Sequence, residues 1–96
     1  MASIERIRRK ILNREYFISS HAEDEARDDG LSRADIENAI LRGEIERKLT
    51  ADVRGTRYRI AGPAKDGRAI YVVCRFREDT NLIVITVYAL EITNEM

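Results

Sequence analysis

Tyr71-Val72-Val73-Cys74-Arg75-Phe76-Arg77 carries the architecture of this chain in its alternation. Successive side chains of a strand point to opposite faces, so Val72, Cys74 and Phe76 share one side. Tyr71, Arg75 and Arg77 share the other. Arg57-Tyr58-Arg59-Ile60 and Ile83-Val84-Ile85-Thr86-Val87-Tyr88 divide in the same way. Ile60, Ile70, Ile83, Ile85 and Val87 extend the apolar phase; Arg57, Arg59, Thr86 and Tyr88 extend the polar one. A sheet with a dry face and a face of arginines and tyrosines fits a phosphate-bearing ligand, with RNA the expected one.

Turn chemistry brackets these segments. Asp52, Gly55, Pro63-Ala64-Lys65-Asp66-Gly67 and Asp79-Thr80-Asn81 separate four expected strands at 44–49, 56–62, 68–77 and 82–90. Connections this short join antiparallel neighbours, because a parallel crossover needs about a dozen residues. The segment 82–90 is apolar enough to be the central strand.

Upstream the period is helical. Ile4, Ile7, Ile11 and Leu12 form the stripe of an amphipathic helix within 3–14. Residues 16–19 suffice only for a brief extended segment. Ser20 is the expected N-cap of a helix from His21 to Asp29, whose acidic first turn suits the positive end of the helix dipole. Gly30 ends it. Ser32-Arg33-Ala34-Asp35 has the capping-box form, with Asp in place of Glu or Gln. The helix it opens should bury Ile36, Ala39 and Ile40 and stop at Gly43, expected as a left-handed terminator. The expectation is a single α+β domain over 1–96, with N-terminal helices on a four-stranded antiparallel sheet.

Composition narrows the class. With 96 residues, 44% hydrophobic and 35% charged, the chain can form one core under a heavily charged surface. No stretch approaches the ~20 apolar residues of a membrane helix, and charge appears within the first five positions. The lone Cys74 has no disulfide partner within the chain. These features predict a cytoplasmic protein with no membrane association. Seventeen basic and seventeen acidic residues cancel, so no global field draws the chain to a polyanion. The distribution is uneven, however. Residues 23–29 carry five acids against Arg27, whereas 54–77 carry seven Lys or Arg against Asp66. A neutral chain can thus present a basic face. The acidic run reads as a solvated helix face or a contact for a basic partner.

Candidate functional residues follow from chemistry. His21 is the only histidine, and an imidazole exchanges protons near neutrality; its plain alternative is a structural place at the helix start. Arg57, Arg59, Arg75 and Arg77 offer guanidinium groups that bind phosphate through paired hydrogen bonds. Each alone could equally be a solvated residue paired with a carboxylate. Tyr71 and Tyr88 could stack on bases, and Tyr88 could also orient a proton transfer. Thr86 places a hydroxyl in an otherwise apolar run. One His and one Cys supply no metal cluster of usual spacing, and no glycine-rich phosphate loop is present. Neither metal nor cofactor is expected. Cys74, on the core phase, is not expected to act as a nucleophile.

Ser20-His21-Ala22, Gly30-Leu31-Ser32 and Asp35-Ile36-Glu37-x-Ala39-Ile40-x-x-Gly43-Glu44 resemble the N-terminal signature of the family catalogued as domain of unknown function 4258. Arg57-Tyr58-Arg59-Ile60-x-Gly62, Gly67-Arg68, Tyr71-Val72-Val73 and Ile85-Thr86-Val87-Tyr88 resemble its later pattern, so the likeness covers about 16–90. That family is grouped with the RelE/ParE-like toxins. The resemblance implies helices before a four-stranded antiparallel sheet and metal-independent RNA cleavage, often silenced by an antitoxin protein. His21, Arg59, Thr86 and Tyr88 are then the expected catalytic residues. Arg57, Tyr71, Arg75 and Arg77 are the expected RNA-binding ones. The competing expectation is a non-catalytic RNA- or protein-binding module on the same fold. Self-association through an exposed sheet edge is a further one.

Overall fold

The hydrophobic period changes from helical to alternating at Gly43, and the fold changes there too. The computed structural model describes residues 3–50 and 55–90. Helices α1 (Ser3–Leu12), α2 (Ser20–Asp28) and α3 (Arg33–Arg42) precede strands β2 (Glu44–Leu49), β3 (Arg57–Pro63), β4 (Ala69–Phe76) and β5 (Leu82–Ala89). A short strand, β1 (Tyr16–Ile18), lies between α1 and α2. Asp52, expected in the β2–β3 turn, lies outside the described residues. No described helix is long and apolar enough to cross a membrane.

The sheet has five strands in the order β1-β5-β4-β3-β2. β2 to β5 form the expected antiparallel meander. The expected four-stranded, all-antiparallel sheet is corrected by β1, which runs parallel to β5 with Phe17 opposite Ile83. Short connections determine the sense of consecutive strands only. β1 returns to β5 through the whole intervening chain, so loop length carried no signal for it. The central strand is β4, not 82–90. β5 is apolar nonetheless, since β4 flanks one edge while β1 and α2 cover the other.

One core forms on one side of the sheet. Ile7 and Ile11 of α1, Ala22 and Ala26 of α2, and Ile36, Ala39 and Ile40 of α3 meet the inward residues of the strands. Ile60, Ile70, Val72, Cys74, Leu82, Val84 and Val87 are those residues. Ile83 and Ile85 are not among them, contrary to the alternation read from sequence. Val73 faces Thr86, but Cys74 faces Val84, so Ile85 is an extra residue in β5. Such a bulge switches the phase of the strand. Ile83 therefore lies opposite Arg75, on the polar side.

The helix ends explain how α2 and α3 are held. Ser19, not Ser20, caps α2, with its Oγ accepting from Ala22 N at 3.0 Å. Ser19 also donates its N–H to Val84 O (3.0 Å) and its hydroxyl to Ile85 O (3.1 Å), fastening the helix start to β5. The Ser32–Asp35 capping box is present as expected. Asp35 Oδ2 accepts from Ser32 N at 2.8 Å, and Oδ1 accepts from Lys65 N at 2.9 Å. These backbone donors, Ser32 first, hold the Asp35 carboxyl below the usual carboxylate range. Gly43 ends α3 in extended backbone (φ −93°), not the expected left-handed form. Its requirement for glycine is steric, because a Cβ there would collide with the carbonyls of Ala61 and Ala39. A Cβ on Gly62 would strike the Ala39 backbone in the same way. Helix α3 thus rests directly on the main chain of β3.

Two outcomes are expected. Gly62→Ala should lower unfolding free energy by about 1–3 kcal/mol in urea titrations, since α3 must shift to admit the methyl group. Asp35→Ala should cost about 1 kcal/mol at pH 7, as loss of a helix cap does. A carboxyl whose folded pKa is depressed stabilises above the unfolded value of about 3.9, and that stabilisation fades as pH falls through the folded value. The stability difference between the variant and the parent should therefore shrink as pH falls below about 3.9, as melting curves recorded across the acid range will show.

Candidate nucleic-acid interface

The strand registers arrange the outward residues in transverse rows. Phe17, Ile83, Arg75, Arg57 and Leu49 stand side by side from β1 to β2. The next row runs Thr86, Val73, Arg59, Arg47, and the third runs Tyr88, Tyr71, Ala61, Glu44. The register thus brings Arg57, Arg59, Tyr71, Arg75, Thr86 and Tyr88 onto one face. Arg77 lies just past β4, and its guanidinium lies 4.6 Å from the Phe17 ring centroid. Asp79 lies 3.6 Å from the same guanidinium.

Arg59 is held on this face by a ring, a phenol and a carboxylate. Its guanidinium lies 4.4 Å from the Tyr71 ring centroid. Tyr71 meets Tyr88 edge-to-face, with centroids 5.3 Å apart. Arg59 Nη1 donates a long hydrogen bond to Tyr88 Oη at 3.5 Å. Nε and Nη2 reach Glu46 Oε1 at 2.8 and 2.7 Å. Glu46, then Tyr88, raises the guanidinium further above its ordinary pKa. The planar cation is therefore oriented by two rings and a carboxylate, with part of its charge offset by Glu46.

His21 approaches from α2, at the outer edge of β5. Its side chain is 69% exposed, and Nε2 lies 3.3 Å from Glu25 Oε2, one helical turn on. The other Glu25 oxygen accepts from Val87 N at 3.1 Å and from the Thr86 hydroxyl. His21 is thus tied to Thr86 through Glu25. Among the described residues it makes no contact of its own with Arg59 or Tyr88.

Asp29 repeats the Glu25 arrangement, accepting from Ala89 N at 3.1 Å. Two carboxylates four residues apart on a helix span about 6 Å, and two N–H groups two residues apart on a strand span about 6.6 Å. The near match lets α2 act as a surrogate neighbour for the β5 edge. The acidic run is accordingly only in part a solvated face: Glu23, Asp24 and Asp28 are exposed, whereas Glu25 and Asp29 are half-buried edge caps.

Cys74 is fully buried, and burial pushes its thiol up to about 12, in keeping with its core assignment. Among the described residues no group of three or more His, Cys, Asp or Glu side chains converges as metal ligands would. Sequence reading did not single out Glu25, Glu46, Val73 or Phe17. Glu25 had a signal, its i+4 spacing from His21. Glu46 had none, because a register shift between Ile45 and Arg47 interrupts the strand at that residue.

A model of the family described as Domain of unknown function (DUF4258) matches residues 18–89. That span runs from the end of β1 to the end of β5 and leaves α1 outside. Comparison with curated proteins and with solved structures gives no match.

Removing Glu25 should cost more than removing the Thr86 hydroxyl. Glu25→Ala orphans the Val87 N–H and should lower stability by about 1–3 kcal/mol, while Thr86→Val, which leaves that bond intact, should cost about 1 kcal/mol. Chemical denaturation of both variants gives the ranking.

Proposed function

The chain belongs to the DUF4258 family, and from that premise and its arginine–tyrosine face we propose a metal-independent RNA endonuclease of the RelE-like toxin superfamily. The observation that carries the reading is Arg59, held 4.4 Å from the Tyr71 ring centroid and within reach of Tyr88 on the outward sheet face. A guanidinium fixed in this way needs little reorganisation to meet a phosphate. Arg57 and Arg75, in the neighbouring row, extend the positive surface along a backbone, and Arg77 stands at its end. Tyr71 and Tyr88 supply ring edges and faces for unstacked bases.

In this reading His21 takes the proton of a ribose 2′-hydroxyl. The 2′ oxygen then bonds to the adjacent phosphorus while the bond from phosphorus to the 5′ oxygen breaks. The departing 5′ oxygen takes a proton from water. The products are a 2′,3′-cyclic phosphate and a 5′-hydroxyl. The nucleophile belongs to the substrate, so the scheme requires no metal. Arg59, with Arg57 and Arg75, offsets charge that develops on the phosphate, and Tyr88 orients it. Thr86, whose hydroxyl donates to Glu25, acts through that carboxylate. Such a nuclease would be the toxin of a toxin–antitoxin pair, restrained by a protein that covers the basic face.

A second reading, a non-catalytic RNA- or protein-binding module, is favoured by one feature. Glu46 already occupies two nitrogens of Arg59, which dilutes the charge offered to a phosphate. Harmless expression in a growing host would favour this module over a toxin.

The test is cleavage of an end-labelled, mixed-sequence RNA in EDTA, with and without ribosomes. Cleavage leaving cyclic phosphate ends is expected, with loss in His21→Ala and impairment in Tyr88→Phe. Arg59→Ala should slow it by on the order of 10²–10³. Absence of cleavage by the parent protein under both conditions would overturn the nuclease in favour of the binding module.

A further inference from the structure

We infer that Glu25 is the positioning residue of this site: it holds the His21 imidazole with its proton on Nε2, so that Nδ1 is the proton acceptor. The inference rests on the nuclease reading only for what the imidazole then does.

An ionised carboxylate accepts hydrogen bonds and donates none. Glu25 Oε1 receives the Val87 N–H and the Thr86 hydroxyl, two donors that lock its orientation against β5. Oε2 lies 3.3 Å from His21 Nε2. A neutral imidazole carries one N–H and one lone pair. At that distance the carboxylate repels a lone pair on Nε2 and attracts an N–H there. The tautomer is chosen by that asymmetry, and Nδ1 is left with its lone pair.

The spacing makes this a property of the fold. His21 and Glu25 are one helical turn apart, so α2 delivers the pair together. Glu25 is bonded to the β5 main chain, which registers the imidazole to the strand carrying Thr86 and Tyr88. Edge capping does not require this partnership, because Asp29 caps the Ala89 N–H without a histidine. The imidazole is also exposed, so its free nitrogen is open to a substrate hydroxyl.

The experiment is a long-range ¹⁵N–¹H correlation spectrum of the full chain at about pH 8.5, where an ordinary imidazole is neutral. His21 is the only histidine, so its signals need no assignment. The parent protein should show the Nε2–H form. In Glu25→Gln the amide oxygen can keep the Val87 N–H, which turns the amide NH₂ toward the ring. Nε2 must then accept, and the spectrum should move to the Nδ1–H form. The RNA cleavage kcat should fall by up to about 10⁴-fold with KM little changed, as when a base is held in the wrong tautomer. An Nδ1–H form in the parent would overturn the inference without recourse to any variant. So would an unchanged tautomer or an unchanged kcat in folded Glu25→Gln. If the parent cleaves no RNA while the tautomer still switches, the nuclease reading fails and the positioning role of Glu25 stands.

Discussion

The outer edge of β5 is the constraint on which the arrangement of this molecule depends. A strand edge exposes N–H and C=O groups that must find partners. Here β1 pairs with the first part of β5, as far as Val84, and α2 serves the rest with Ser19, Glu25 and Asp29. Without those contacts α2 would have only Ala22 and Ala26 to anchor it in the core, both small side chains. The hydrogen bonds that complete the sheet therefore also place His21. Edge protection and site assembly are one set of contacts.

A second close approach sets the far side of the helical layer. Gly43 and Gly62 let α3 lie on β3 with no side chain between, and Arg8 of α1 donates to the Ile40 and Gly43 carbonyls at the end of α3. Asp35 joins the start of the same helix to the β3–β4 turn. With α3 held at both ends, β3 and β4 keep the register that aligns Arg57 with Arg75 and Arg59 with Val73. Charge then concentrates on the outward face of a chain with no net charge. Several of its acids are used elsewhere, as helix caps, edge caps and surface pairs, while Glu44 stands in one of the outward rows and Glu46 pairs with Arg59.

Much of the fold was legible along the chain. The change of period at Gly43, the Ser32–Asp35 box and the meander of β2 to β5 are all local patterns, and each stands where the pattern places it. The polar face was legible in Arg57, Arg59, Tyr71 and Arg75 because β3 and β4 pair without interruption through them. β5 was harder to read. Its residues 83 and 85 look identical to core positions, and a bulge cannot be seen in a run composed almost wholly of β-branched residues. β1 was hidden by its length, three residues being too few to display a period.

Local chemistry was thus sufficient for the helices, the turns and the segregation of arginines from isoleucines, because each depends on neighbours within a few positions. The fifth strand, the phase of Ile83 and the partnership of His21 with Thr86 required the folded chain. Glu25 and Thr86 are 61 positions apart and meet only because α2 lies along β5. A hydrogen bond over that separation leaves no periodic mark, since its partners are chosen by the packing of whole elements.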